Sequence, residues 1–196
     1  MKRIFWTIAG VCFALYLFHG CFFYKSMTHL SKDDLEWIKA GKQNYEAIFE
    51  SDRGTRSRLI LMGSYEANST NPMAFVFETS DEYQANAGYE FEINDKYRKL
   101  EGLFSVIRKT DDDTLRTFFH LGKRFSSDYP IITTDDFTID SVDFRNCFIA
   151  DSTNSHISSR WQNDTVLNIK RFVISKKYGL IYYQLATGEQ FYRKFK

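Results

Sequence analysis

Two prolines and ten glycines in 196 residues exclude collagen-like and proline-rich chains. Three cysteines are too few for a disulfide framework or, alone, for a four-ligand zinc site. Charge of one sign is also missing. Lys+Arg number 26 against 25 Asp+Glu, so no broad basic field points to nucleic acid. No glycine-rich phosphate loop and no Gly-x-Ser-x-Gly elbow occurs. Aromatic residues, in contrast, are plentiful at 17%, far too many for a disordered chain.

The first 24 residues, MKRIFWTIAGVCFALYLFHGCFFY, are a different material from the rest. Lys2 and Arg3 form a positive head, and the next charge is Lys25. A basic head before an apolar run is an export signal, and its basic end stays inside. The expected organisation is therefore a signal or membrane-anchor segment over 1–24 and an extracytoplasmic domain over 25–196. Three fates remain open. Cleavage before Cys21 would leave that cysteine lipidated, with Gly20 as the small preceding residue, although Phe18 and His19 suit a lipobox poorly. An uncleaved segment would be a single-pass anchor, because 21 helical residues over 4–24 reach about 30 Å, one bilayer core. Complete removal would release a soluble exported protein. Once Lys2 and Arg3 are set aside, the remaining chain is nearly neutral.

Leu30-Ser31-Lys32-Asp33-Asp34-Leu35 has the form of a helix start. Ser31 is the N-cap, Asp34 stands where a capping-box carboxylate belongs, and Leu30 and Leu35 occupy the staple positions. The spacing predicts a helix over about 31–40, stopped at Gly41. Strands are expected to follow. Tyr89, Phe91 and Ile93 alternate with Glu90 and Glu92, the period of a half-buried strand. Further strands are expected at 45–50, 58–63, 74–79, 103–109, 115–125, 137–149, 166–175, 180–185 and 190–195. Turn signals separate them, among them Ser51 to Gly54, Asp128-Tyr129-Pro130 and Thr187-Gly188. The expected fold is mainly β: an antiparallel sheet of about ten strands, a curled barrel or a sandwich, with one short N-terminal helix and the membrane segment.

Catalytic groups are sparse. His29, His120 and His156 have no metal-spaced neighbour. Cys147 sits in an apolar strand and reads as a buried thiol. Asp111-Asp112-Asp113 lacks EF-hand spacing. Arg53, Arg56 and Arg58 form a small basic cluster. Asp140, Asp143 and His120 could serve a hydrolase only if the fold assembled them. The positive ligand hint is aromatic: Trp161, Tyr182, Tyr183, Phe191 and Tyr192 crowd the C-terminal hairpin as a candidate ligand or partner surface.

Two stretches carry a family resemblance. Leu30-Ser31 through Trp37-Ile38, Phe49-Glu50-Ser51 and the strand from Arg58 to Met62 form the first. Ile174 to Ile181, with Gly188 before a final aromatic strand, forms the second. Together they resemble small exported lipoproteins of Bacteroides-type bacteria, departing at Lys39-Ala40-Gly41, where that family often continues with Pro-Tyr. The resemblance implies an envelope lipoprotein and carries no catalytic residue across. The expectation is a membrane-tethered, non-catalytic binding or interaction module of the cell envelope. It would have no cofactor, no metal and no nucleic acid, and its partner would be a protein or an apolar ligand. An envelope hydrolase and a structural or assembly subunit are the alternatives.

Overall fold

The computed structural model describes residues 2–22, 26–43, 46–69, 82–109, 114–130, 135–157 and 168–195. Its first element is helix α1 (Lys2–Phe22), which leads to the two-residue strand β1 (Ser26–Met27) and helix α2 (Lys32–Gln43). Strands β2 (Glu46–Ser51), β3 (Arg56–Ala67), β4 (Glu82–Tyr83), β5 (Asn86–Asn94), β6 (Lys99–Arg108), β7 (Leu115–Leu121) and β8 (Arg124–Pro130) follow. The chain continues through β9 (Asp135–Ile139), β10 (Val142–Ala150), β11 (His156–Ile157), β12 (Ile169–Ser175), β13 (Gly179–Leu185) and β14 (Gln190–Arg193). Twelve of these strands form one sheet in the order β11-β8-β7-β6-β5-β3-β2-β14-β13-β12-β10-β9. Every neighbouring pair in it is antiparallel. β1 and β4 make a separate parallel pair.

The sheet curls because its inner face is aromatic. Phe119 of β7 lies 5.1 Å from Phe148 of β10 and 5.1 Å from Phe172 of β12, ring centre to ring centre. Strands far apart in the sheet order thus meet across its hollow. Arg124 of β8, almost fully buried, donates through Nε to the Ile169 carbonyl and through a terminal nitrogen to Ser155 Oγ at 2.7 Å. The first of these bonds spans the gap that strand pairing leaves open. The result is a curled, incomplete barrel, the first of the two expected architectures.

One end of the barrel, called here the near end, carries β1, β4, the start of β5 and the end of β6. Thr28 fastens it: its hydroxyl donates to the Arg108 carbonyl at 2.6 Å and accepts from the Ala85 N–H at 3.0 Å. Helix α2 covers this mouth, with Trp37 against Phe104 at 6.2 Å. The far end holds the β2–β3, β5–β6, β7–β8 and β13–β14 turns.

The capping box forms as the sequence predicts. Asp34 N–H donates to Ser31 Oγ (3.1 Å), and Ser31 N–H donates to Asp34 Oδ2 (2.8 Å). Asp34 also takes an ion pair from Arg108 at 2.6 Å, tying the helix to the sheet. Gly41, expected to stop the helix, instead lies inside it. A Cβ there would sit 2.4 Å from the buried Tyr89 ring, so the glycine serves close packing.

Two expected strands are hairpins. The 115–125 run turns at Gly122, whose φ of +58° fits the first central position of a type II′ turn. The 137–149 run turns at Asp140 and Ser141, with φ of +47° and +64°, the pattern of a type I′ turn. Neither has the Asn-Gly or Asp-Gly signature. Asp128-Tyr129-Pro130, expected as a turn, ends β8, and Pro130 pairs with Arg116. The expected strand at 74–79 lies outside the described residues.

A second apolar cluster occupies the outer face. Ile139, Phe144, Cys147, Val173, Ile181 and Tyr182 are buried there. The β9–β10 arm makes this cover: its register shifts between Phe144 and Cys147, with Asn146 at φ +58°. Phe137 then reaches Tyr182 at 5.1 Å, and Phe144 stacks on Phe195 at 5.1 Å.

From Trp6 to Tyr16 every residue of α1 is exposed, with Trp6 at 73% and Phe13 at 64%. Among the described residues no helix is long and apolar enough to cross a membrane. The exposed stretch alone is about 16 Å of helix, half a bilayer core. The expected membrane segment therefore rests on the sequence of α1.

Three unfolding measurements check this account. Gly41→Ala gains up to about 1 kcal/mol of helix propensity but forces the Tyr89 ring aside, and the net loss should be about 1–2 kcal/mol in urea unfolding. Ser31→Ala should cost about 1 kcal/mol as a lost cap. Asp34→Ala, which removes both the capping carboxylate and the ion pair with Arg108, should cost more, about 2 kcal/mol.

Candidate functional site

The barrel interior is filled. Phe49, Phe104, Phe119, Phe172, Tyr183 and Phe191 are each essentially inaccessible. A cavity of about 10 Å³ remains beside Gly41, Tyr89, Gly179 and Arg193, the room one water occupies. The Tyr89 hydroxyl there is fully buried and has no hydrogen-bond partner among the described protein groups. Burial pushes its pKa well above the usual tyrosine value, so it stays neutral. Such a space holds no apolar ligand of useful size.

A groove of about 740 Å³ lies between α2, the bend of β10 and the β12–β13 turn. Its walls alternate in charge. Lys176 Nζ pairs with Asp33 at 2.7 Å and lies 5.8 Å from the Trp37 ring centre. Lys39 pairs with Glu36 at 3.0 Å on the helix wall. Opposite, Asp143 accepts from the Thr138 hydroxyl at 2.7 Å, and Arg145 and Lys177 complete the rim. Tyr178 and Phe144 supply an apolar floor, 5.7 Å apart and edge to face. The groove offers charges of both signs over rings, chemistry suited to docking a polar segment.

A second cluster closes the far end. Arg98 contacts Asp95 at 2.7 Å and Glu189 at 3.5 Å, with its guanidinium 5.3 Å from the Phe191 ring centre. The Tyr183 hydroxyl and Ser57 Oγ share a hydrogen bond of 2.7 Å beneath it. Burial pushes the Glu189 carboxyl up. Side-chain hydrogen bonds from Ser51 and Thr55, with the charges of Arg98 and Arg53, outweigh that and hold it below the usual glutamate value. These carboxylates are paired with a cation that seals the barrel.

The residues singled out in the sequence are dispersed. Tyr183 and Phe191 stack at 4.5 Å with rings 6° apart, inside the barrel. Tyr182 is buried in the outer cluster, where its hydroxyl and that of Tyr192 both donate to Gln190 Oε1, at 3.0 and 2.9 Å. Burial, with Tyr192 beside it, pushes the Tyr182 phenol up to about 12. Tyr182, Tyr183 and Phe191 are therefore core and not the expected surface; Tyr192 is half-buried beside them, and Trp161 lies outside the described residues. Cys21 falls near the end of α1, and its side chain lies outside the described residues.

His120 does not meet Asp140 or Asp143. Burial lowers its pKa, while the charged neighbours that oppose this are Glu101 and Glu90. Asp140 is exposed at a turn. Cys147 is fully buried, and Asp111 to Asp113 lie outside the described residues. Arg58 pairs with Glu46 at 2.8 Å, and Arg53 donates to the Thr187 carbonyl. Among the described residues no group of three His, Cys, Asp or Glu side chains could hold a metal ion.

Sequence reasoning missed the groove and the far-end cluster. Asp95 left a local signal: its Oδ1 accepts from the Tyr97 and Arg98 N–H groups, the mark of an Asx turn. Glu189 is 91 positions from Arg98 and left none. No family model, curated protein or solved structure matches the chain.

Glu189 makes a pH test. Because its pKa is depressed on folding, its stabilisation is present above the ordinary glutamate range of about 4.3 and is lost as pH falls through the folded value. Glu189→Gln should therefore lower the unfolding midpoint at neutral pH. The gap to the parent should narrow as pH falls below that range.

Proposed function

We propose that the chain is a membrane-tethered protein of the cell envelope whose β domain, outside the cytoplasm, serves as a non-catalytic interaction module. The observation that carries this reading is the unbroken exposure of α1 from Trp6 to Tyr16, next to a body that buries its aromatics efficiently. Apolar surface of that extent on a helix calls for a cover. In the sequence the run over 4–24 carries no formal charge, would reach about 30 Å if helical, close to one hydrocarbon core, and follows the basic head of Lys2 and Arg3. Cys21 is the lipid acceptor if the segment is cut; otherwise the helix itself is the anchor.

The filled barrel weighs toward a protein partner over an apolar ligand. The separation of His120 from Asp140 and Asp143 weighs against the hydrolase alternative. The resemblance to exported lipoproteins agrees with the tether.

Intact mass after membrane extraction tests the reading. The expected product carries either the complete N-terminus or a diacyl or triacyl Cys21. An unmodified chain in the aqueous fraction overturns the proposal. Where the mass shows the complete N-terminus, replacing Val11 and Leu15 with aspartate should move the protein from the membrane pellet to the supernatant, because each carboxylate at a helix centre costs about 2.5–3.5 kcal/mol on insertion.

A further inference from the structure

We propose that the near end of the barrel, the end carrying β1 and β4 beneath α2, lies against the bilayer and that the Arg98–Glu189 end points away. This rests on the tether just proposed and adds an orientation to it. The argument is one of reach. α1 ends at Phe22 and β1 begins at Ser26. Four residue steps extend at most about 14 Å. β1 is not a loose tail: Ser26 and Met27 pair with Glu82 and Tyr83, and Thr28 N–H donates to the Tyr83 carbonyl at 3.1 Å. The leash therefore ends on the near rim of the barrel.

β5 runs from Asn86 at that rim to Asn94 at the far end, about 26 Å along the strand. Tilt in a barrel reduces this to about 20 Å of height. A domain hung on about 14 Å of chain cannot invert, because its far end would have to enter the hydrocarbon. A lipid on Cys21 would hang the domain from five backbone steps, about 18 Å, on the same near rim, so both anchoring chemistries favour this orientation.

The test uses the full chain in vesicles of phosphatidylethanolamine and phosphatidylglycerol that contain a headgroup-nitroxide lipid. Exposed positions are changed to cysteine and labelled with a fluorophore: His29→Cys and Glu82→Cys at the near end, Tyr97→Cys and Thr187→Cys at the far end. The unsubstituted protein is the labelling blank. Quenching should be severalfold greater at positions 29 and 82 than at 97 and 187. Equal quenching, or the reverse order, in protein that floats with the vesicles overturns the orientation and leaves the tether standing. Protein that does not float overturns the tether, and the orientation with it.

Discussion

Phe119 meets Phe148 and Phe172 at ring-centre distances of 5.1 Å, and these contacts turn a twelve-stranded ribbon into a body with an inside. A flat sheet of this width would leave an aromatic face in water. Rolling it brings β7 against β10 and β12 and buries the rings without a ladder of hydrogen bonds to close the seam. Everything else accommodates that roll. α2 lies over one mouth because Trp37 finds Phe104 there. The other mouth needs polar closure, since hairpin turns and not a helix surround it, and Arg98 between two carboxylates supplies it.

Local order was legible where one short stretch of chain holds the whole cause. Ser31 and Asp34 need only three residues between them, so the capping box could be read directly. The alternation at Tyr89 to Ile93 likewise needed no partner. The turns at Gly122 and Asp140-Ser141 were hidden because their flanking strands are equally apolar and no Asn-Gly or Asp-Gly marks them. Gly41 misled for a tertiary reason: its meaning depends on a tyrosine 48 positions later.

The aromatic candidates show the same division. The sequence placed Tyr182, Tyr183, Phe191 and Tyr192 on one hairpin, and alternation put neighbours on opposite faces. It could not show that both faces would be covered. The second cover is the β9–β10 arm, bent at Asn146 over the outer side of β12 and β13. The groove stayed hidden as well, since one wall comes from α2 and the others, about a hundred residues later, from β10 and the β12–β13 turn.

A sheet that curls without closing keeps two raw margins. On one side stands β11, only two residues long; on the other stands β9, which belongs to the folded-back arm. Chains confined to one surface meet far more often than chains free in solution, and an open strand margin invites the next copy to add itself in register. Here β11 interrupts the first margin, pairing with Arg124 and Phe125 of β8. The second leaves the line of the sheet at the bend beside Cys147. Crowding on a surface then finds little to propagate along.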